Sequence, residues 1–582
     1  NQKLVDAKEK RVEINEKREQ FRPVAARGAV LYFCIVEMAL VNWMYSTSLQ
    51  QFLGLFDYSI DEAPKAPILK DRVANIIDTL TYKVYRYINR GLFEKDKITF
   101  KLMICLKILM QEGKLMSHDV NFFLKAGAGA TDDKSKPFGW IESKAWGNLK
   151  ALSNHRFAKN NNIMFKDLPD RISRNEGSWR AWIEENEPEN STVPDLADKI
   201  NADPIHHFLH LCLIRCVRED RTLLASTKFI SEVLGPRYVS PVTDSFDDIW
   251  KESRTNIPIL FLLSAGADPT NTIDELAKKK KLPTMKVSMG EEQDKLGLEV
   301  IEKTGFVSGG WVILQNCHLD LNFMGKMEDI LNPKNVEVHE DFRLWITCEP
   351  HSDFPLSLLQ TAIKVTTEPP KGLKAGMWRT FTTMVNGDFL EKVEPYEQWR
   401  SLVYAICFLH SIVQERRKFG PLGFCIPYEF NYSDLEASLN YVERHLTILG
   451  SNNYGDARKI NPSFKAIKYM VCDIQYGGRI TDNLDRELFR TYGELWLHQQ
   501  LLDTPQYKFV PLIPDGRYEV PASPEHNKWL QEIEQMPDRD SPIVFGLHPN
   551  ADLTFRLKES VEMLNTLIDT QPKDASVSGG KT

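Results

Sequence analysis

The chain has no excess of positive charge. Its 73 Lys and Arg stand against 80 Asp and Glu, a net charge of −7 over 582 residues. A bulk electrostatic attraction to nucleic acid is therefore not indicated. Paired cysteines are missing too. The nine cysteines (Cys34, Cys105, Cys212, Cys216, Cys317, Cys348, Cys407, Cys425 and Cys472) are odd in number and widely spread. Several lie inside apolar periodic runs, as in Ala405-Ile406-Cys407-Phe408-Leu409. That pattern favours buried free thiols in a reducing compartment over a disulfide framework. No secretory leader is visible, because the N-terminus is charged from Lys3 to Arg22. With no initiator Met, the chain reads as a piece of a larger polypeptide. A clean membrane span is also lacking. Met38–Phe56 is uncharged for 19 residues but carries Asn42, Ser46, Thr47, Ser48, Gln50 and Gln51. Lipid would tolerate these only at a cost, so core helices are expected there.

What is present is ordinary globular material, 42% hydrophobic and 26% charged, long enough for about three to five domains. Residues 1–60 read as helical. Gln2–Gln20 is a charged helix with a thin stripe at Leu4, Ala7, Val12 and Ile14, broken by Pro23. Asp61–Pro67 reads as a linker. Residues 71–240 are mainly helical, with a buried run at Phe100–Met110 and loops at 126–137 and 185–195. Trp140, Trp146, Trp179 and Trp182 mark core packing rather than base stacking, since no basic stripe accompanies them.

Residues 250–370 alternate strand and helix. Strands are expected at Ile257–Leu263, Thr284–Met289, Trp311–Asn316, Phe342–Thr347 and Ala362–Thr367. Helices are expected near 272–281, 291–304, up to about 331, and at 355–361. Near-continuous apolar strands separated by helices predict a parallel sheet covered on both faces. Residues 378–500 are helical again. Trp399–Val413 carries a stripe at 399, 402, 403, 406, 409, 410 and 413, and Asp434–Leu449 carries Leu435, Leu439, Val442 and Leu446. From Pro505 the chain is Pro-rich with scattered aromatics, and 573–582 reads as a disordered end.

The strand–helix pattern is that of a nucleotide-binding fold, yet its chemistry is missing. A working phosphate loop needs glycines, a Lys for the phosphates and a Ser or Thr for magnesium. After the first strand the chain has Gly266-Ala267-Asp268-Pro269-Thr270 instead. No Lys is available in that turn, Asp268 repels phosphate, and Pro269 removes one backbone N–H. Thr272-Ile273-Asp274-Glu275 reads as a capping box that satisfies the helix N-terminus with side chains. The strand that should end in Asp-Glu ends in Gln315-Asn316, and neutral amides neither act as a general base nor give a metal charge.

Other constellations are weaker. His206, His207, His210, Cys212 and Cys216 have metal-ligand residue types. In a helix, however, position 212 lies about 160° around from 210, so they cannot converge alone. Cys317-His318 is a lesser pair. The terminal Gly579-Gly580-Lys581-Thr582 mimics a phosphate loop but has Ala575 where the motif wants Gly, with no strand before it and no helix after it. No Ser-His-Asp or Cys-His nucleophile motif is found.

Several segments carry a family resemblance: Phe21–Arg27, Tyr87–Phe93, Ser264–Thr270, Gly310–Leu319, Phe342–Thr347, Lys418–Phe424 with Asn431, and Tyr476–Arg479. In that order, over nearly the whole chain, the sequence resembles the C-terminal motor-ring part of a dynein heavy chain, most closely the axonemal outer-arm type. The resemblance implies an AAA+ α/β fold: a five-stranded parallel sheet covered by helices, with a large helical extension and a helical lid. It implies that 1–60 end the small subdomain of the fifth AAA+ module. Residues 61–375 would form the large subdomain of the sixth (helical part 71–240, α/β core 250–370). Its lid would span 376–504, and a C-terminal domain would start at 505–582. The implied function is that of a non-catalytic ring segment in a minus-end-directed microtubule motor of cilia and flagella. It would close the ring and transmit conformational change. The alternatives are a degenerate module that still binds nucleotide for regulation, or a divergent active ATPase. No cofactor or metal is expected in this segment, ATP and Mg being bound by other modules. Implied partners are the neighbouring AAA+ modules, the microtubule through an absent stalk, and intermediate and light chains through an absent tail. Neither nucleic acid nor membrane is expected as a partner. The implied location is the cytoplasm, cytoskeleton and axoneme.

Overall fold

Five of the runs read as strands form one parallel sheet. In the computed structural model they are β1 (Ile259–Leu263), β2 (Thr284–Ser288), β3 (Trp311–Gln315), β4 (Arg343–Cys348) and β5 (Ile363–Thr367). Their order in the sheet is β2-β3-β4-β1-β5. Registers are set by pairs such as Thr284 with Trp311, Trp311 with Arg343, and Ile259 with both Trp345 and Ile363. Each expected strand is present within two residues of its predicted ends. The structure describes residues 11, 14–125, 136–157, 164–196, 203–240, 245–264, 267–290, 292–333, 337–368, 371–452, 461–513, 517–537 and 539–571. Most of the Gln2–Gln20 helix, most of the 126–137 loop, Gly266 and the 573–582 end lie outside them.

Alternation along the strands divides the sheet residues between two cores. Leu260, Leu262, Val312, Leu314, Leu344 and Ile346 face the large helical core of the same unit. Ile259, Phe261, Trp311, Ile313, Trp345 and Ile363 face a smaller core with Ile249, Ile273, Leu276 and Ala277. The second core is built on aromatic contacts. The rings of Trp311 and Trp345 lie 4.9 Å apart, and those of Phe261 and Trp345 lie 6.0 Å apart.

The described residues fall into two compact units, one comprising Asn1–Leu263, Asp268–Thr367 and Arg556–Thr582, the other Ser264–Ala267 and Glu368–Phe555. In the first unit, the helix Arg22–Val41 is long and apolar enough to cross a membrane by length and composition. It buries Leu31, Cys34, Ile35 and Met38 in the core and packs on the helices Leu69–Asn89 and Glu94–Gln111. No single helix runs through Met38–Phe56. Asn42 accepts a hydrogen bond from the Met44 N–H and Ser48 one from the Gln51 N–H, and each starts a new helix. Trp146, Trp179 and Trp182 are buried in this core, as expected. The helix expected at 291–304 is α-helical only over Asp294–Val300. It then widens into a π-helical stretch, Ile301–Val307, that seats Phe306 edge-on against Phe342.

Lys364 on β5 is buried, with no carboxylate paired to it among the described residues. Its Nζ donates to the carbonyls of Ser46 (2.6 Å) and Leu359 (2.7 Å), which a neutral amine can still satisfy with its two N–H groups. Burial pushes its pKa down to about 7. The unfolded chain holds this proton up to about pH 10.4, so between pH 7 and that value the unfolded state binds more protons. Stability therefore rises with pH across this window. Urea midpoints at pH 7, 8 and 9 should climb more steeply for the native chain than for Lys364→Met. Parallel curves would show that the buried amine does not titrate there.

The second unit is built round the helix Tyr396–Arg416. The expected stripe is too narrow for it: Tyr404, Ala405, Cys407, Phe408, Ser411 and Ile412 are buried as well, so its middle is enclosed on all sides. Helices Leu373–Thr383 and Tyr432–Asn452 pack along it, and the helix Asn483–Trp496 meets it through Trp496 against Phe408 (5.2 Å) and Tyr492 against Arg416. The unit continues through Phe555, past the boundary expected near 504. Phe509, Val510, Tyr518, Val520, Trp529 and Ile533 belong to the same core as Trp399 and Phe408. Eight of the nine cysteines are buried, only Cys425 is exposed, and all nine are free thiols.

Candidate functional site

In open parallel sheets ligands bind beyond the carboxyl ends of the strands, and β1 and β3 bring the expected site residues there. The turn after β1 leads through Ala267, Asp268 and Pro269 into the helix Thr270–Lys280. Asp268 Oδ1 accepts from the Thr270 N–H (2.9 Å) and from Thr270 Oγ1 (2.5 Å). A carboxylate of the chain itself thus sits at the donor end of the helix, the place where a phosphate-binding helix holds its anion. Pro269 contributes no N–H. The helix cations Lys278, Lys279 and Lys280 are in its last turn, at the far end.

The expected capping box is not formed. The helix starts at Thr270, two residues before Thr272, so Thr272 and Glu275 lie in its body. Pro269, with its ring-restricted φ, favours that earlier start, and Asp268 takes over the work assigned to Thr272. The residue read only as repelling phosphate is therefore the group that ties down the turn.

At the end of β3 the two amides diverge. Gln315 Nε2 donates to Thr270 Oγ1 (2.9 Å), and that hydroxyl in turn donates to Asp268. Asn316 adopts a left-handed conformation, φ 56°. Its Nδ2 donates to Ser288 Oγ at the end of β2 (3.2 Å), and its backbone N–H donates to Thr347 Oγ1 on β4 (3.3 Å). Ser288 and Thr347 were not singled out in the sequence. The available signal was a hydroxyl at or near the end of each of those strands. The four strand ends are cross-linked by neutral side chains and one carboxylate. Neither amide takes up a proton at neutral pH, and no cation lies in the first turn to meet a phosphate.

The His206–Cys216 segment forms the helix Pro204–Val217, with Cys212 and Cys216 buried. Burial pushes the pKa of His210 down to about 4. No three of these residues, nor Cys317 and His318, converge as metal ligands among the described residues. Residues 579–582 lie outside the described residues.

Residues 254–366 match the family model described as the dynein heavy chain region D6 P-loop domain, and 399–551 the one described as the dynein heavy chain AAA lid domain. The whole chain is 42% identical to dynein axonemal heavy chain 5 of Mus musculus, over 12% of that protein. It is also 42% identical to the dynein gamma chain of the flagellar outer arm of Chlamydomonas reinhardtii, over 13% of it. With dynein axonemal heavy chain 8 of Homo sapiens it shares 40% identity, over 12% of that protein. The chain spans about an eighth of the length of these relatives.

Proposed function

We propose that this chain, which belongs to the dynein heavy-chain family, is a ring segment of an axonemal motor that hydrolyses no ATP itself and passes on conformational change driven by ATP elsewhere. Residues 61–375 would be the large part of the sixth module, preceded by the end of the fifth. The lid would follow, and would take in the 505–551 stretch. Its partners would be the other AAA+ modules of the same heavy chain. The whole protein would bind ATP and Mg in those modules, move along microtubules, and work in the axoneme of a cilium or flagellum.

The observation that carries this reading is the Gln315–Thr270–Asp268 chain of hydrogen bonds. It spends the hydroxyl that would face magnesium, and it places a carboxylate where phosphate would bind. A packed α/β block can act as a rigid member between moving neighbours. In the full heavy chain, Gln315→Ala should leave microtubule-stimulated ATPase and gliding velocity within about twofold of the parent. A loss of more than about tenfold, some 1.4 kcal/mol in barrier, would put Gln315 in the chemistry and contradict the proposal.

A further inference from the structure

A second cluster of ligating side chains lies in the first unit, on elements that the motor reading does not use. His118 and Asp119 occupy the first turn of the helix Ser117–Lys125, and His155 caps the C-terminal end of the helix Ser143–Asn154. Both imidazoles aim the same atom at one oxygen. His118 Nε2 and His155 Nε2 each lie 3.1 Å from Asp119 Oδ1. The Asp119 side chain is fully buried, His155 is 17% exposed and His118 is 55% exposed. One side of the cluster is thus closed and the other open to solvent.

We propose that His118, Asp119 and His155 form a binding site for a divalent transition metal of the zinc type. The donor set is two imidazole nitrogens and one carboxylate oxygen, with a solvent-facing position left for water or another ligand. Imidazole suits zinc, copper and nickel, and disfavours calcium and magnesium, which want oxygen ligands. The spacing fits. Zinc holds these donors at about 2.0–2.1 Å, so ligand atoms on a tetrahedron stand about 3.3 Å apart, close to the 3.1 Å seen on both His–Asp edges.

The surroundings are those of a held ligand set. Asp119 Oδ2 accepts from the Met116 N–H at 2.9 Å, which fixes the carboxylate and leaves Oδ1 toward the imidazoles. The His155 ring is packed between Phe122 (4.6 Å) and Phe157 (4.5 Å), an apolar wall that restricts its rotation. The Arg156 carbonyl oxygen, 3.0 Å from His118 Nε2, is a further oxygen at the open side. Without a metal, His155 Nε2 hydrogen-bonds Asp119 Oδ1, while His118 Nε2 hydrogen-bonds the Arg156 carbonyl oxygen beside it. With a metal, both neutral imidazoles present their Nε2 lone pairs to the ion and carry the ring proton on Nδ1, only an imidazolium releasing a proton to solvent. Binding would join the start of one helix to the end of another, across 36 residues of sequence.

The test is equilibrium dialysis of the EDTA-treated 582-residue chain against Zn²⁺, with Co²⁺ absorption as a second readout. One other group of three ligating residues converges among the described residues, Cys425 with Asp482 and Asp485, so Cys425→Ser is the control. We expect one equivalent of Zn²⁺ at micromolar concentration, retained in Cys425→Ser. In His118→Ala, an exposed position where folding should survive, affinity should fall by more than about tenfold. The Co²⁺ spectrum should show tetrahedral or five-coordinate bands without thiolate charge transfer. No stoichiometric binding, or binding that persists in His118→Ala, would overturn the proposal. So would binding lost in Cys425→Ser alone.

Discussion

Replacing Trp311 with Ala should cost about 3–5 kcal/mol of stability, the range for deleting a large buried aromatic. Trp311 is wholly buried on β3, between Trp345 (ring distance 4.9 Å) and Trp250 (6.5 Å). It holds the second core of the sheet together, and collapse into its place is blocked by strands paired on both sides. The indole Nε1 of Trp311 has no hydrogen-bond partner among the described residues, so Trp311→Phe loses volume but no polar partner there. That variant should cost less than half as much. Urea unfolding followed by hydrogen exchange of the β1, β3 and β4 amides would read both effects. Equal losses in the Ala and Phe variants would mean that the indole N–H, not the volume, matters.

The ion pair of Arg221 with Glu189 gives the other large effect. Arg221 Nε donates to Glu189 Oε2 at 3.0 Å, and Nη2 donates to Oε1 in parallel. Both side chains are nearly inaccessible, at 2% and 5% exposed. The pair fastens the 185–195 loop to the start of the helix Thr222–Leu234, with the Lys228 ammonium on the Glu189 carbonyl (2.6 Å). Breaking a buried pair from one side leaves a stranded charge. Glu189→Leu or Arg221→Met alone should therefore destabilise by about 3–5 kcal/mol. The double variant removes both charges and should recover most of that loss. Glu187, 4.0 Å from Arg221, should make the Glu189 variant the milder of the two. Additive losses in the double variant, measured by urea midpoints, would show that the two residues act separately.

Much of this was legible in the residues, for physical reasons that differ by element. The strands could be read because runs such as Ile259–Leu263 and Trp311–Leu314 are apolar without a break and bounded by turn residues. Burial on both faces leaves no other place for such a run. The missing lysine and the Gln315-Asn316 pair were equally plain, because they are identities rather than geometry. Asp268 was harder. Its role depends on where the helix begins, and two start signals compete within seven residues, Pro269 and the Thr272–Glu275 box. The 505–525 stretch has no periodicity to read, so Phe509 and Tyr518 gave no sign that they fill the core of the second unit, whereas Trp529 and Ile533 stand one turn apart on the short helix His526–Glu534. The central helix Tyr396–Arg416 hid its nature another way. An apolar stripe is visible in its sequence, but enclosure of the remaining faces depends on neighbours far along the chain. The His118–Asp119–His155 cluster shows the same limit, since only the tertiary fold brings its members together.

The most direct measurement is a titration of the 582-residue chain with fluorescent ATP and ADP, with and without Mg²⁺. A helix N-terminus already holding Asp268, with Gln315 locked on Thr270, predicts no saturable binding up to about 1 mM, weaker than about −4 kcal/mol. Micromolar, magnesium-dependent binding would contradict this. It would mean that phosphate displaces the Asp268 carboxylate and that the segment is a nucleotide-holding module rather than a purely mechanical one.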